Sequence, residues 1–324
     1  MSGMNSSAAA LPKDSFANAV TKNVMAVLVW LAISVINVSM VRTFLLCSSR
    51  VFYENPRYIM FICMVVNDAL QLSLVTALYV VSYVFRKIPV LVCCPLVRPI
   101  MAAVFTTRST PLILAGMAVE RFVSICFPLH YSQTCTVRRT LLLISIIFIL
   151  TAAPPATDLL IGTLTEPPTF FQSAIFCDHS LLFRHASVYY KNCVFDGLYL
   201  SSVALTLLYT YCRIMLAARA ASAGLASVNR ARNTVLLHGV QLMLCMLAFV
   251  VPSLQAALIS LFPLLILEIR YVFFLLVYII PRFLSPVIYG CRDQLFRKYW
   301  IQNVSGEVFM KIRTLLVSGW GWGS

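Results

Sequence analysis

The sequence predicts an all-α membrane protein, a bundle of seven transmembrane helices with the N-terminus outside and the C-terminus in the cytoplasm. The first observation is composition: 60% of the 324 residues are hydrophobic and 11% are charged. Soluble domains are about half apolar and about a quarter charged. The second is that the apolar residues form stretches long enough to cross a bilayer. The third is that Lys and Arg concentrate on one side of those stretches.

Each predicted span is a stretch of about 20 or more mostly apolar residues, the length that a helix needs to cross the hydrocarbon core. The stretches run over residues 23–46, 57–85, 92–125, 140–162, 193–218, 234–262 and 266–290. Backbone groups in lipid must be satisfied within the segment, which favours helices. The alternating ten-residue segments of a membrane β-barrel do not occur in the sequence.

The distribution of Lys and Arg predicts the orientation of the chain in the membrane. With the N-terminus outside, fifteen of them fall in cytoplasmic segments and eight in outer segments, the bias that membrane proteins show. The net charge of +14 therefore reflects topology, and nucleic-acid binding is not predicted. Arg108 and Arg282 are exceptions because both lie within spans, where a charge is expected to face the bundle interior.

The segments outside the membrane domain, residues 23–290, are short. Residues 1–22 are predicted to be an extracellular tail without the apolar core of a signal peptide, and Asn5 begins an Asn-Ser-Ser glycosylation pattern in it. Residues 291–302 mix basic with aromatic and Leu side chains, which predicts an interfacial helix. Residues 303–324 are predicted to be a disordered cytoplasmic tail.

Two motifs lie at the C-terminal ends of the third and seventh predicted spans. Residues 117–131 read Met-Ala-Val-Glu-Arg-Phe-Val-Ser-Ile-Cys-Phe-Pro-Leu-His-Tyr, and residues 281–289 read Pro-Arg-Phe-Leu-Ser-Pro-Val-Ile-Tyr. On these motifs the chain resembles the rhodopsin-like (class A) G-protein-coupled receptors and, within them, the fish-type branch of the vertebrate odorant receptors. The resemblance covers about residues 20–300.

The resemblance implies a switch for G-protein coupling, formed by Glu120, Arg121, Tyr211, His238 and Tyr289. In this interpretation Arg121 pairs with Glu120 at rest and faces the G protein once released. The ordinary alternative for Arg121 is snorkelling at a helix end. For Tyr211 and Tyr289 it is a place in the interfacial aromatic belt.

Asp68 lies mid-span, where a carboxylate is costly and usually functional. The resemblance implies a polar cluster of Asp68 with Asn37, Thr110 and Ser285 that can hold a sodium ion, although its set of oxygen ligands is thin. The alternative is a protonated or Asn-paired structural carboxyl group. We predict no other metal and no cofactor.

The resemblance also implies a ligand site in the outer half of the bundle, between spans three, five, six and seven. The candidates, chosen by depth, are Ala103, Thr106, Thr107, Arg108, Tyr199, Ser202, Ser253, Gln255 and Tyr278. Each is alternatively a contact between helices. Two interpretations of Arg108 stay open: a group that recognises an acidic odorant, or a member of an internal pair.

Most of the eleven cysteines lie in spans, where they behave as small apolar residues. The resemblance implies a disulfide between the top of span three and the outer loop, which we predict over residues 163–192. Cys177 is the loop partner, and Cys94 or Cys93 is its mate. A second bridge through Cys193 stays open.

Together these features predict a receptor rather than an enzyme. The resemblance implies that it binds a small-molecule odorant and activates a heterotrimeric stimulatory olfactory G protein, which raises cyclic AMP. It implies a location in the plasma membrane, in the cilia of olfactory sensory neurons. One alternative is a non-olfactory class A receptor for a small metabolite or peptide. The other is a channel or transporter, but the sequence lacks inverted repeats and pore-lining charge rings.

Overall fold

The computed structural model describes most of the membrane domain. The described residues are 16–46, 53–85, 88–165, 174–175, 183, 185–220, 243, 246–247, 250–251, 254–255, 257–262, 265–284 and 296–303. Their helices are α1 (Phe16–Leu46), α2 (Pro56–Phe85), α3 (Val90–Cys126), α4 (Pro128–Thr134), α5 (Val137–Thr165), α6 (Ala186–Ala220) and α7 (Ile266–Phe273). Helix α7 continues as a π-helix over Phe274–Ile279, and residues 296–303 are also helical.

Five helices in the part of the chain that the structure describes are long and apolar enough to cross a membrane. Their membrane segments are Val20–Leu46, Pro56–Val81, Arg98–Cys126, Val137–Thr165 and Ala186–Ala217. Large apolar side chains such as Leu28, Val35, Ile149 and Leu198 are exposed on them, which suits a surface that faces lipid. The all-α membrane class is confirmed.

Local sequence explains where several helices begin. Asn55 precedes α2, its side-chain oxygen accepts a hydrogen bond from the Arg57 backbone N–H at 3.1 Å, and Pro56 occupies the first turn, where its missing N–H costs nothing. Pro128 also lies in the first turn of its helix, the short α4, although Phe127 before it makes no side-chain cap. Both prolines therefore help to separate consecutive helices.

The helices alternate in direction, which gives the bundle two ends. We call the end of α3 near Cys126, together with α4 and the start of α2, the Glu120 end. The opposite end, where Lys22 of α1 pairs with Glu268 of α7, is the Glu268 end. At the Glu268 end a two-residue strand, β1 (Ile88–Pro89), pairs antiparallel with β2 (Ala174–Ile175).

The largest hydrophobic core lies between α1, α2, α3 and α5. It includes Met40, Phe61, Met64 and Ile113. The helix at residues 296–303 joins it, because the fully buried ring of Phe296 packs edge-on against Phe61 at 5.2 Å. Trp300 donates a hydrogen bond from Nε1 to Ser39 Oγ at 2.9 Å. This helix is therefore held against α1 and α2.

Two helices extend beyond the spans predicted for them. Helix α1 begins at Phe16 rather than at residue 23. The predicted loop over 163–192 is shorter at both ends, since α5 continues to Thr165 and α6 begins at Ala186. The residues before 193 fell outside the predicted apolar stretch, yet they are helical. Tyr189 and Tyr190 are exposed on this first part of α6, whereas its polar side chains Lys191 and Asn192 have partners within the bundle.

Candidate functional site

Four of the nine predicted ligand residues lie near the middle of α3, and a fifth, Tyr199 of α6, contacts them. Ala103 and Thr106 are buried, and the Thr106 hydroxyl donates to the backbone carbonyl of Ala103 at 3.0 Å. Thr107 Oγ1 donates to the same carbonyl at 2.7 Å and accepts a hydrogen bond from Gln71 Nε2 at 2.6 Å. The threonine hydroxyls thus serve the helix backbone and α2 rather than open space.

The Asp68 cluster joins α2 to α3. Thr110 Oγ1 donates to Asp68 Oδ1 at 3.1 Å. Asn67 donates from Nδ2 to Thr110 Oγ1 and to the Thr106 carbonyl, both at 3.0 Å. Asn37 is also buried, but its amide atoms make no hydrogen bond in the part of the chain that the structure describes. Ser285, the fourth predicted member, lies outside the described residues.

Arg282 adds a cation to this cluster that the sequence prediction did not include. Its guanidinium is 1% exposed, and Nε lies 4.0 Å from Asp68 Oδ1. Nε and Nη2 both donate to Gln71 Oε1, at 3.1 and 2.6 Å. Sequence alone identified Arg282 as a charge within a span, whereas Gln71 gave no local signal.

Arg108 forms an internal pair. This corresponds to the second of the two interpretations that the sequence left open. Its Nε and Nη2 donate to Asp196 Oδ1 and Oδ2 at 3.0 and 3.1 Å, and Nη2 also reaches Asn192 Oδ1 at 3.3 Å. The guanidinium lies 5.8 Å from the centre of the Phe195 ring. Tyr199, another predicted ligand residue, donates from its hydroxyl to the Arg108 carbonyl. Asp196 was missed, although an acid within a span is itself a signal.

The network continues from α6 to α5. Asn192 Nδ2 donates to both carboxylate oxygens of the fully buried Asp158, at 3.1 and 3.2 Å. Lys191 donates to Asp158 Oδ1 and, at 3.0 Å, to the Pro154 carbonyl. The two cations Arg108 and Lys191 balance the two anions Asp158 and Asp196. This polar network therefore connects α3, α6 and α5 without adding net charge.

Three of the remaining predicted ligand residues, Ser202, Gln255 and Tyr278, belong to the described part of the chain. Ser202 is exposed and its hydroxyl donates to the Tyr199 carbonyl of its own helix at 2.8 Å. Tyr278 is half-buried and packs with Val277 and Val251. Gln255 is half-buried, and Ser253 lies outside the described residues. The residues predicted on α3 and Tyr199 therefore lie together, the hydroxyl of Ser202 serves its own helix, and the assignment of these residues to a ligand site stays a prediction.

Glu120 is buried at its own end of α3 and has two partners. Tyr131 of α4 donates its hydroxyl to Glu120 Oε1 at 2.8 Å, and Arg57 Nε of α2 lies 3.6 Å from the same oxygen. The expected pair with Arg121 is not found among the described residues. The reason is helical geometry, because adjacent residues on a helix do not face each other. Arg121 is half-buried beside this cluster.

The buried Glu120 carboxylate changes the ionisation of its neighbours. Burial, followed by the charge and hydrogen bond of Glu120, raises the pKa of Tyr131. Burial, followed by the charge of Glu120, also raises the pKa of Cys135, and Arg139 opposes this increase. Tyr131 therefore remains a protonated donor at neutral pH, and α4 stays linked to α3.

The other predicted switch and disulfide residues are only partly described. Tyr211 is half-buried and, with Cys212 and Met215, lines a depression of about 400 Å³ on α6. Cys93 and Cys94 belong to the start of α3, and Cys193 is an exposed free thiol, which disagrees with a second bridge through it. Residues that lie outside the described ranges are His238, Tyr289, Cys177 and Asn5.

Two comparisons with known proteins agree with this arrangement. Residues 37–289 match the family described as "7 transmembrane receptor (rhodopsin family)". A protein of Danio rerio named "Odorant receptor 131-2" is 29% identical over 188 residues, which is 58% of this chain and 58% of that protein. The match thus spans less than two thirds of that relative's length.

Proposed function

The chain belongs to the rhodopsin family of seven-transmembrane receptors, and we propose that within this family it is an odorant receptor. It binds a small-molecule odorant between α3 and α6 and activates a heterotrimeric stimulatory G protein at the Glu120 end, which raises cyclic AMP. The Glu120 end is then cytoplasmic. The membership itself confirms the seven-span architecture and sets aside the channel or transporter alternative.

The observation that carries this proposal is that one helix, α3, holds both polar sites. Arg108 links α3 to α6 through Asp196, and Glu120 links it to α2 and α4 through Arg57 and Tyr131. The two sites are twelve residues apart, or about 18 Å along a helix that rises about 1.5 Å per residue. A ligand that shifts α3 relative to α6 therefore also shifts the position of Glu120.

The Arg108 side chain supports a specific class of ligand. Its Nη1 is buried and has no hydrogen-bond partner in the part of the chain that the structure describes, and a buried donor without a partner is costly. Its charge, in contrast, is already compensated by Asp196. We infer that the ligand supplies a neutral acceptor, such as a ketone, aldehyde or ester carbonyl, rather than the carboxylate of an acidic odorant.

Activation follows from differential affinity, since a ligand shifts an equilibrium only as far as it prefers one state. An odorant that binds Nη1 favours the state in which α6 has moved relative to α3. At the Glu120 end, Arg121 is half-buried and makes no pair with Glu120 among the described residues, and we assign it the contact with the G protein. The zebrafish relative and the motif at 117–131 support the olfactory assignment, and with it a location in the plasma membrane of ciliated sensory cells.

The test is a cyclic AMP reporter in cells that express the full chain, with a panel of carbonyl compounds and the carboxylic acids and amines of the same carbon skeletons. We expect carbonyl compounds to raise cyclic AMP, and Arg121→Ala to abolish the response at equal surface expression. Arg138→Ala is the matched control, because Arg138 is an exposed arginine at the start of α5. A response that survives Arg121→Ala contradicts the proposed coupling. A wild-type chain that reaches the cell surface but responds to none of these compounds favours the non-olfactory class A alternative.

A further inference from the structure

Asp68 occupies the position at which the family resemblance implies a sodium ion, but its surroundings do not fit one. Sodium requires several oxygen atoms with free lone pairs. Thr110 directs its hydroxyl hydrogen at Asp68 Oδ1, and Asn67 turns its NH₂ group, not its oxygen, towards Thr110. Gln71 Oε1 accepts two hydrogen bonds from Arg282, which leaves Asn37 Oδ1 as the amide oxygen of the predicted cluster that makes no hydrogen bond among the described residues.

The cation at this position is part of the chain. Arg282 Nε lies 4.0 Å from Asp68 Oδ1, and the side chains of Arg282 and Asp68 are 1% and 0% exposed. Two buried opposite charges at this distance compensate each other, whereas a second cation beside the guanidinium would be repelled.

The helix itself orients Arg282 towards Asp68. Pro281 has no backbone N–H, so it cannot donate the usual helical hydrogen bond to the Val277 carbonyl four residues earlier. Arg282 Nη1 donates to that carbonyl instead, at 3.1 Å. The remaining donors, Nε and Nη2, then point at Gln71 and Asp68. Because the Gln71 NH₂ group in turn donates to Thr107, one guanidinium ties α7 to α2 and, through Gln71, to α3.

We propose that Arg282 is the built-in counter-ion of Asp68, so that this receptor binds no sodium ion there and is not stabilised by sodium. Sodium sensitivity is then a property that Arg282 suppresses. Removing the guanidinium uncovers a buried carboxylate together with the Gln71 oxygen, and these are ligands that suit sodium.

The experiment measures thermal unfolding of the full-length chain in detergent, in NaCl, KCl or N-methylglucamine chloride at equal ionic strength. For the wild type we expect the same Tm in all three salts. For Arg282→Gln we expect a lower Tm in KCl, and a rise of several degrees with increasing NaCl that KCl does not reproduce. Arg282→Lys, which keeps the charge, and the double variant Asp68→Asn/Arg282→Gln, which removes both charges, should show no preference for sodium.

A sodium-specific rise of Tm in the wild type overturns the proposal, and so does an Arg282→Gln variant whose Tm is the same in NaCl and KCl. If Arg282→Gln does not fold, the wild-type titration still decides, supported by ²³Na NMR. Line broadening by the wild type that Asp68→Asn removes would contradict the built-in counter-ion. Neither measurement uses an odorant or a G protein, so their outcome is independent of the proposed receptor function.

Discussion

Arg108 and Asp196 face each other across the interface of α3 and α6 through two parallel hydrogen bonds, Nε to Oδ1 at 3.0 Å and Nη2 to Oδ2 at 3.1 Å. The fork of a guanidinium matches the two oxygens of a carboxylate, which fixes both distance and rotation. Arg108 is 6% exposed and Asp196 is 23% exposed, so the pair is largely shielded from solvent. The relative position of the two helices therefore depends on both charges together.

Asp196→Asn should lower the free energy of unfolding by on the order of 3 kcal/mol, because it leaves the buried Arg108 without a counter-charge. The double variant Arg108→Gln/Asp196→Asn should be more stable than Asp196→Asn alone, since it removes both charges. Thermal unfolding in detergent measures both. Glu268→Gln is the control: Glu268 is 51% exposed in its pair with Lys22, and exposed pairs contribute at most about 1 kcal/mol. If the effects of Asp196→Asn and of Arg108→Gln alone add up to that of the double variant, Arg108 and Asp196 are not coupled.

Gly116→Ala should destabilise the bundle by about 1–3 kcal/mol, the usual range for overpacking. A Cβ at Gly116 would lie 2.5 Å from Met60 Cε and 3.5 Å from Leu143 Cδ2, and Met60 is only 2% exposed. Met60 Cε is the end of a flexible side chain and can shift, but its burial restricts that shift, so we expect a loss at the low end of this range. Gly197→Ala is the control, because nothing lies within 4 Å of its added Cβ. That variant should unfold at the same temperature as the wild type or slightly higher, and equal losses at both glycines would contradict the close α2–α3 contact.

The transmembrane helices could be predicted from the sequence because a bilayer demands long apolar segments, and that signal is local. Their ends were less predictable. Lys191 and Asn192 fell just outside the apolar stretch predicted for the fifth span, yet they lie on α6, where Asp158 of α5 gives both a partner. Asp158 lies 33 residues before Lys191 in the chain, so the sequence around Lys191 gives no sign of this partner.

The functional residues show the same difference between a local signal and a partner that is distant in the chain. Arg108 and Arg282 could be singled out because a charge within a span is rare. Their partners Asp196 and Gln71 could not be paired with them, since the pairing depends on how each helix is rotated about its axis. The pair expected from sequence, Glu120 with Arg121, failed for the opposite reason: the two are neighbours in the chain but point in different directions.

Cys135 should react slowly with iodoacetamide at pH 8, because its raised pKa leaves less of the reactive thiolate. Glu120→Gln removes the charge that raises this pKa and should speed the reaction a few-fold. Arg139→Gln removes the opposing charge and should slow it. Burial is the larger cause and remains in both variants. Site-resolved mass spectrometry separates Cys135 from the other cysteines.

Tyr131→Phe is the control for this reaction. It removes the same hydrogen bond to Glu120 but keeps the carboxylate, so the charge effect on Cys135 should persist. If Tyr131→Phe accelerates alkylation as much as Glu120→Gln does, release of α4 rather than the Glu120 charge controls the thiol.

The disulfide between Cys177 and the start of α3 should appear in peptide maps of the unreduced protein. The pairing of Ile88 with Ile175 and of Pro89 with Ala174 holds the loop backbone beside the chain that leads into α3, four residues before Cys93. Cys177 follows Ile175 by two residues, a reach of up to about 7 Å in extended chain. Adjacent helical residues differ in direction, so we expect Cys177 to be linked to one of Cys93 and Cys94 and the other thiol to be alkylated.

Cys193 is the internal reference for this map, since it is an exposed free thiol and should be fully alkylated without reduction. Cys177→Ser should lower the surface level of the receptor, because loss of a native disulfide typically costs about 2–5 kcal/mol, whereas Cys193→Ser should leave it unchanged. Serine in place of the bridged member of the Cys93/Cys94 pair should reproduce the loss, and serine in place of the other should not. A Cys177–Cys193 peptide would contradict the free thiol of α6, and alkylation of Cys177 without reduction would exclude the bridge altogether.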